Sequence, residues 1–324
     1  LTYINTRGVK NGKFLQNIFT TSKIISLLGI IVFGFLLVKD SQWTENMSFG
    51  WNAFQDFGKE VGNDLVPTSW QSIGSITLLG GIAAAMVGSV FSSVAWENVT
   101  FMSGEIENPK KNVVKAMVLG TIVVMILYLL VNLVYLNALD RDGIAFADKN
   151  RPAVAASEVI FGNLGTVIMA ILVMISTFGC INGLVLAGAR VFQTMAKDGL
   201  FFKQAIENNK NEVPEKSLWM QGIWASVLAL SGQYGDLLDM ISFVIVLFYM
   251  ITVFGVIYLR IKKPNLERPY KTWLYPITPI LYLLIGSAFC LLLIWFKPNY
   301  TWPGFILILL GLPVYWFINK RKIE

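Results

Sequence analysis

Residues 91–98 read Phe91-Ser92-Ser93-Val94-Ala95-Trp96-Glu97-Asn98, in the middle of an apolar stretch from about Ile73 to Ser103. A helix that crosses a bilayer needs roughly 20 residues, and this stretch is longer than that. Serine, asparagine and β-branched residues weaken a helix, and a glutamate at bilayer depth is a functional-site hypothesis by default. The pattern therefore predicts a helix that breaks near mid-membrane, where freed backbone groups serve as ligands.

A kinked but continuous helix is the alternative interpretation of the same residues. In that arrangement Glu97 pairs with a polar side chain of a neighbouring helix and has no ligand role. Both interpretations place the carboxylate within the bilayer, and they differ in whether the backbone around Ala95 leaves the helical conformation.

The composition indicates an all-α membrane protein. The chain has 324 residues, of which 55% are hydrophobic and 14% are charged, whereas soluble domains carry about 25% charged residues. Histidine is absent, which excludes histidine-based triads and histidine-ligated metals. Cys180 and Cys290 lie inside apolar runs and are expected to behave as small apolar residues. We therefore expect no metal or other cofactor, and we do not expect an enzyme.

Eight stretches are apolar enough to be membrane spans, and the chain is expected to form one domain over residues 1–324. The approximate bounds of the eight stretches are Ile18–Val38, Ile73–Ser103, Val113–Leu139, Phe161–Ala196, Leu218–Leu230, Leu237–Leu259, Ile277–Phe296 and Trp302–Ile318.

The distribution of basic residues gives the expected orientation. Sorted by this helix count, 19 of the 26 Lys and Arg residues fall on the side that holds both termini and 6 on the other side. The positive-inside rule then places both termini in the cytoplasm. Because the basic residues occupy short loops between spans, the net charge of +6 reflects membrane topology, and nucleic-acid binding is not expected.

The end of the second stretch carries a further motif, Gly104-Glu105-Ile106-Glu107-Asn108-Pro109-Lys110-Lys111-Asn112. Together with residues 91–97 it resembles the sixth helix of the amino acid–polyamine–organocation superfamily. Its permeases carry an aromatic-x-x-x-Gly-(Phe/Trp)-(Glu/Asn) core followed by Glu-x-x-Asn-Pro-(Lys/Arg)-(Lys/Arg)-Asn. Here Ala95 stands where that family usually has glycine, so we expect a tighter or shifted break.

Three more segments extend the resemblance over essentially the whole chain, and the L-type amino acid transporter branch fits best. Gln16–Lys23 resembles the start of the family's fifth helix, Ser176–Arg190 followed by Met195–Gly199 resembles the eighth, and Pro264–Tyr270 resembles the loop before the eleventh. The resemblance implies that the eight spans correspond to helices 5–12 of the twelve-helix LeuT-like inverted-repeat fold. It also implies that the first four helices are missing from this chain. In that family, the broken first and sixth helices hold the substrate.

The resemblance assigns substrate-binding roles to Phe91, Ser92, Ser93, Val94, Ala95, Glu97 and Cys180. Phe91 is expected to be an aromatic gate, and the carbonyls of Phe91, Ser92 and Val94 are expected to accept hydrogen bonds from the substrate ammonium. A helix break leaves carbonyls without intrahelical partners, and an ammonium offers three donors. Ordinary packing is the alternative role for Phe91.

Glu97, Lys23 and Thr177 are the candidate coupling residues. Glu97 is expected to be a proton site or a contact of the substrate side chain, with a structural hydrogen bond as the alternative. By resemblance, Lys23 occupies the place where sodium-coupled relatives bind sodium, and Thr177 and Cys180 face it. The alternatives are that Lys23 snorkels to the interface and that Thr177 and Cys180 only pack helices together.

The function implied is sodium-independent secondary transport of amino acids across the plasma membrane by alternating access, either as exchange or as proton-coupled symport. The expected partners are the amino acid substrate and the lipid bilayer, and the sequence assigns no accessory subunit. The alternatives are a permease for polyamines or other organic cations, and a non-transporting channel or sensor on the same fold.

Overall fold

The structure is a computed structural model that describes residues 1–7, 9–48, 54–56, 58–61, 64–101, 106–230, 234–268 and 270–320. Within those ranges the chain is mainly helical. In chain order the α-helices are α1 (Thr2–Thr6), α2 (Val9–Leu37), α3 (Trp43–Met47), α4 (Ser75–Ser92), α5 (Asn98–Phe101), α6 (Pro109–Ala138), α7 (Arg141–Ala145), α8 (Pro152–Phe161), α9 (Gly165–Lys197), α10 (Glu215–Ala229), α11 (Tyr234–Lys262), α12 (Ile277–Phe296) and α13 (Pro298–Lys320).

Six helical stretches of the described residues are long and apolar enough to cross a membrane. They are Asn17–Leu37, Ser75–Ser92, Pro109–Ala138, Pro152–Lys197, Met240–Lys262 and Ile277–Phe296. Each coincides with a predicted span, and the chain is a multi-pass, all-α membrane protein.

The predicted count of eight spans is not confirmed. The fifth predicted span lies in α10, which has only 15 residues. The eighth lies in α13, where Pro303 and Pro313 interrupt the sequence and the apolar part is the shorter Thr301–Pro313. The count of eight, and with it the LeuT-like arrangement, stays a prediction.

The chain divides into two compact units, each with its own packing. The first unit comprises Leu1–Gly74, Leu119–Leu186 and Lys210–Val213; the second comprises Ser75–Val118, Ala187–Asn209 and Pro214–Glu324. The single domain expected from the sequence is not tested by this division and stays a prediction.

The core of the first unit is formed where α2, α6, α8 and α9 meet. Ile30, Val134, Ile160 and Met169 are buried against one another. Gly34 permits this packing, because a Cβ atom there would overlap Cγ1 of Val134. Small residues at such crossings let membrane helices approach closely.

The loop between α2 and α4 contains two short antiparallel strand pairs, and in the sequence the inner pair lies between the strands of the outer pair. Strand β1 (Phe54–Gln55) pairs antiparallel with β4 (Gln71–Ser72), and β2 (Lys59–Val61) pairs antiparallel with β3 (Asp64–Val66). The Asp56 carboxylate accepts hydrogen bonds from the Thr68 hydroxyl at 2.6 Å and from the Thr68 amide at 2.7 Å. These bonds, led by the one from the hydroxyl, hold the pKa of Asp56 below its ordinary value.

The start of the same loop is fastened to the end of α6. The amide nitrogen of Asn46 donates to the carbonyls of Leu136 and Leu139, at 2.8 Å each. The backbone amide of Gln42 donates to the Asn137 carbonyl at 2.9 Å. These donors satisfy carbonyls that the last turn of a helix leaves without intrahelical partners.

The core of the second unit lies among α4, α11 and α12. Val87, Phe243, Phe289, Cys290 and Leu293 are buried there. Gly80 lets α12 approach α4, since a Cβ atom at that position would lie 2.7 Å from the Phe296 ring. This packing holds α4, and the residues that follow it, against α11.

The segment after α9 contains one turn of 3₁₀ helix at Lys203–Ile206. The buried Gln193 amide donates to the Ile206 carbonyl at 2.9 Å and to Oδ1 of Asn208 at 2.7 Å. The buried Ser217 hydroxyl donates to the Ala205 carbonyl at 3.0 Å. Side-chain donors thus fix this segment to the helices on either side of it in the sequence.

Candidate functional site

The second predicted span is broken, as the sequence predicts. Helix α4 ends at Ser92 and α5 begins at Asn98, so residues 93–97 lie between two helices. Ala95 has a φ angle of 70°, in the left-handed region that glycine enters freely and other residues avoid. The backbone therefore leaves the helical conformation where the resembling permeases have glycine, and the continuous kinked helix is ruled out for this segment.

Serine side chains close the end of α4. The hydroxyls of Ser92 and Ser93 both donate to the carbonyl of Ser89, at 3.0 and 2.7 Å. The backbone amide of Val94 makes a long bond of 3.4 Å to the Phe91 carbonyl. Since a carbonyl has two lone pairs, the Phe91 carbonyl keeps the capacity to accept from a bound ammonium.

Helix α5 starts from Glu97. The Glu97 carbonyl accepts hydrogen bonds from the amide of Thr100 at 2.8 Å and from its hydroxyl at 2.7 Å. The carbonyl of Ala95 accepts from the Asn98 amide at 3.2 Å. Phe91, Val94, Ala95 and Glu97 are partly buried, whereas Ser92 and Ser93 are exposed.

Tyr249 of α11 is the partner of Glu97. Its hydroxyl donates to Oε2 of Glu97 at 2.6 Å, and its ring lies 5.5 Å from that of Trp96, centroid to centroid. This part of the alternative interpretation is correct, because Glu97 does pair with a polar side chain of another helix. Sequence reasoning missed Tyr249, although a tyrosine in mid-span needs a partner for its hydroxyl.

Lys23 and Cys180 are brought together in the first unit. The ammonium of Lys23 lies 3.1 Å from the Cys180 sulfur. Gly179 allows this approach of α2 and α9, because a Cβ atom there would lie 2.6 Å from Cβ of Phe19 and 3.3 Å from Nζ of Lys23. The contact places the ammonium against α9, and the role of Lys23 in place of a sodium ion stays a prediction.

Thr177 and Asn182 of α9 make different contacts. The exposed Thr177 hydroxyl donates to the Val173 carbonyl of its own helix at 2.8 Å, and its predicted role beside Lys23 stays a prediction. Asn182 is fully buried, and its Oδ1 accepts from the amide of the equally buried Asn5 at 2.9 Å. Asn182 thus joins α1 to α9, which is a packing role.

Two of the sequence motifs meet in the second unit. The Lys110 ammonium lies 2.7 Å from Oε1 of Glu267, and this bond lowers the pKa of the exposed Glu267 carboxyl. Arg268 closes the end of α11 by donating to the carbonyls of Lys263 at 2.8 Å and Pro264 at 2.9 Å. Three other motif residues, Gly104, Glu105 and Pro269, lie outside the described residues.

The family model described as amino acid permease matches residues 1–317. The chain belongs to this family. Within it the chain is similar to transporters of the L-type branch, which confirms the resemblance inferred from the motifs.

Three similar proteins illustrate the relationship. The large neutral amino acids transporter small subunit 2 of Mus musculus is 28% identical over 318 residues, covering 97% of this chain and 55% of the relative. The serine/threonine exchanger SteT of Bacillus subtilis (strain 168) is 29% identical over 326 residues, covering 99% and 68%. The b(0,+)-type amino acid transporter 1 of Rattus norvegicus is 25% identical over 325 residues, covering 98% and 60%. The permease chain thus spans about half the length of the mammalian transporters it matches.

Replacing Ala95 with glycine is expected to stabilise the permease by up to about 1 kcal/mol. The left-handed conformation costs a non-glycine residue about 1–2 kcal/mol, and the greater freedom of glycine in the unfolded chain offsets part of that gain. Thermal unfolding of the purified protein in detergent measures the change.

The matched control is Ala85→Gly, at an exposed position inside α4. Glycine in a helix interior costs about 0.5–1 kcal/mol, so this variant should unfold at a lower temperature than the parent. The same direction of change for both variants would contradict the assignment of a left-handed break at Ala95.

Proposed function

We propose that the protein is a sodium-independent secondary transporter that carries amino acids across the membrane by alternating access. The observation that carries the proposal is the break at residues 93–97 in a membrane-spanning helix of an amino acid permease. In secondary transporters, broken helices hold the substrate near the bilayer midplane. The names of the similar proteins, two amino acid transporters and a serine/threonine exchanger, support amino acids over polyamines.

The substrate ammonium is proposed to bind at the break. Helix α4 ends there, and a carbonyl oxygen carries two lone pairs, so it can accept from an ammonium in addition to a backbone amide. Phe91, Ser92 and Val94 supply these carbonyls, and the Phe91 ring covers the bound substrate. Ser93 and Ala95 shape the backbone, since the Ser93 hydroxyl is bonded to Ser89 and Ala95 carries the positive φ angle.

Lys23 is proposed to replace a sodium ion. An ammonium at 3.1 Å from Cys180 supplies one fixed positive charge between α2 and α9, which is the charge that a sodium ion would otherwise bring. A permanently tethered cation leaves transport without a need for sodium. Cys180 and Thr177 are assigned to the surroundings of this ammonium.

Glu97 is proposed as a proton site that contributes to coupling. It lies at the end of the break, and its Oε2 accepts a hydrogen bond of 2.6 Å from the Tyr249 hydroxyl. An ionisable side chain within a membrane span is a functional-site candidate, and its hydrogen-bond partner belongs to the same site. Tyr249 is therefore part of the site, although it need not contact the substrate.

The proposal includes the plasma membrane as location, one permease domain over residues 1–324, and a cytoplasmic position for both termini of this chain. The bias of 19 basic residues against 6 supports the orientation through the positive-inside rule.

Uptake into liposomes tests the main proposal. Purified protein is reconstituted, and labelled amino acids are added outside in sodium-free buffer, with and without unlabelled amino acids inside. We expect internal amino acids to stimulate uptake several-fold, because exchange returns the loaded carrier faster than the empty one. A proton gradient replaces the internal amino acids in a second set of vesicles to detect symport.

Two results would contradict the proposal. Uptake of a polyamine but of no amino acid would show an organic-cation permease. Absence of any uptake by correctly inserted protein would indicate a channel or a non-transporting sensor on this fold.

Lys23→Ala is expected to reduce uptake about tenfold or more while the protein still inserts into the membrane. A hydrogen bond to a charged group contributes about 1.5–3 kcal/mol, and the variant also leaves the space of the ammonium empty. Initial rates of uptake with and without sodium measure the effect. The control is Lys39→Ala, at an exposed position just after the end of α2, and it should keep the parent rate. A fully active Lys23→Ala variant would refute the role of Lys23.

Glu97→Gln is expected to remove the pH dependence of uptake, because glutamine cannot bind the proton. Tyr249→Phe keeps the ring beside Trp96 but removes the donor to Glu97, and should lower uptake about threefold to tenfold, the effect of losing roughly 1 kcal/mol. Tyr258→Phe, at an exposed position of α11, is the matched control. A Glu97→Gln variant with the pH profile of the parent would exclude Glu97 as a proton site.

A further inference from the structure

The turn between α11 and α12 combines exposed aromatic and aliphatic side chains with basic ones. Trp273 is 73% exposed, Ile277 is 63% exposed and Tyr270 is 55% exposed. Lys262, Lys263 and Lys271 are exposed in the same turn. Large apolar side chains exposed beside lysines are typical of surfaces that lie at the boundary between headgroups and acyl chains.

Internal contacts hold this turn in a defined shape. The Arg260 guanidinium lies 3.8 Å from the centre of the Tyr275 ring, which ties the end of α11 to the residues before α12. Arg268 donates to carbonyls at the end of α11, and the Thr278 hydroxyl donates to the Trp273 carbonyl at 2.7 Å. Trp273 and the lysines therefore project from a supported backbone.

The charge of the turn is strongly unbalanced. Residues 260–277 contain five basic side chains and one acidic side chain, Glu267. That carboxylate is bonded to Lys110, which comes from α6 and brings a further positive charge. Lys262, Lys263 and Lys271 thus form a basic surface without a neutralising acid of the turn itself.

We propose that the α11–α12 turn is a binding surface for anionic phospholipid, with Trp273 and Ile277 in contact with acyl chains and Lys262, Lys263 and Lys271 in contact with headgroup phosphates. Polybasic segments beside a membrane gain about 1 kcal/mol for each Lys or Arg near an anionic surface. The apolar side chains explain why the occupant is a lipid and not a soluble anion, because they need a hydrocarbon partner.

Fluorescence quenching by brominated lipid tests the surface. The protein is reconstituted in phosphatidylcholine with an equal mole fraction of either dibrominated phosphatidylglycerol or dibrominated phosphatidylcholine. The chain has 10 tryptophans, so the signal of Trp273 is obtained as the difference between the parent and Trp273→Phe. We expect phosphatidylglycerol to associate at least about fivefold more strongly than phosphatidylcholine beside Trp273, the fold-change that a single lysine contributes.

The triple variant Lys262→Gln, Lys263→Gln, Lys271→Gln should bring this ratio close to one. The matched control removes three exposed lysines of the loops predicted on the other face, as Lys39→Gln, Lys59→Gln, Lys149→Gln, and should leave the ratio unchanged. High salt should lower the ratio for the unmodified protein, because ions screen exposed charges; this arm does not depend on the folding of a variant.

Two results would overturn the proposal. Equal quenching of Trp273 by both lipids would mean that the turn enters the membrane without a preference for anionic headgroups. Absence of quenching by either lipid would mean that the turn does not lie at the bilayer.

Discussion

A polypeptide inside a bilayer has to satisfy its backbone hydrogen bonds by itself, because hydrocarbon offers no other partner. Most of the described chain meets this constraint with long helices, and residues 93–97 do not. There the chain relies on local devices: two serine hydroxyls on the Ser89 carbonyl, and Thr100 on the Glu97 carbonyl. The candidate substrate site exists because the helical ladder is interrupted at this one segment of the second unit.

Glu97 and Lys23 make different kinds of contact. Glu97 receives one short bond from the Tyr249 hydroxyl, which is a neutral donor. Lys23 lies against the Cys180 sulfur, a weak acceptor that leaves much of the bonding capacity of an ammonium unused. In neither of these contacts does an opposite charge face the group, and the roles proposed for Glu97 and Lys23 in coupling depend on that arrangement.

The sequence predicted those parts of the fold that follow from local pattern. Six apolar stretches and a break within residues 91–98 could be derived from residue type and spacing, whereas the resemblance directed attention to Ala95. The shortness of α10 was also visible in the sequence, because the apolar run Leu218–Leu230 is itself too short for a typical span. Of the site, Glu97 and Lys23 were identifiable as charges in apolar runs, and the L-type resemblance placed Cys180 beside Lys23. Tyr249 was not identified, because its pairing with Glu97 depends on how α11 packs against a segment 152 residues away.

The hydrogen bonds between the Asn46 side chain and the end of α6 have a consequence for covalent modification. Asn46-Met47-Ser48 has the form of an acceptor triplet for N-linked glycans, and a glycan would be attached through the amide nitrogen of Asn46. That nitrogen donates to the carbonyls of Leu136 and Leu139, so a sugar could be joined to it only after the end of α6 had been released. Asn46 therefore connects the loop to the end of α6, and in the folded protein its amide nitrogen is not accessible as an acceptor for a glycosyltransferase.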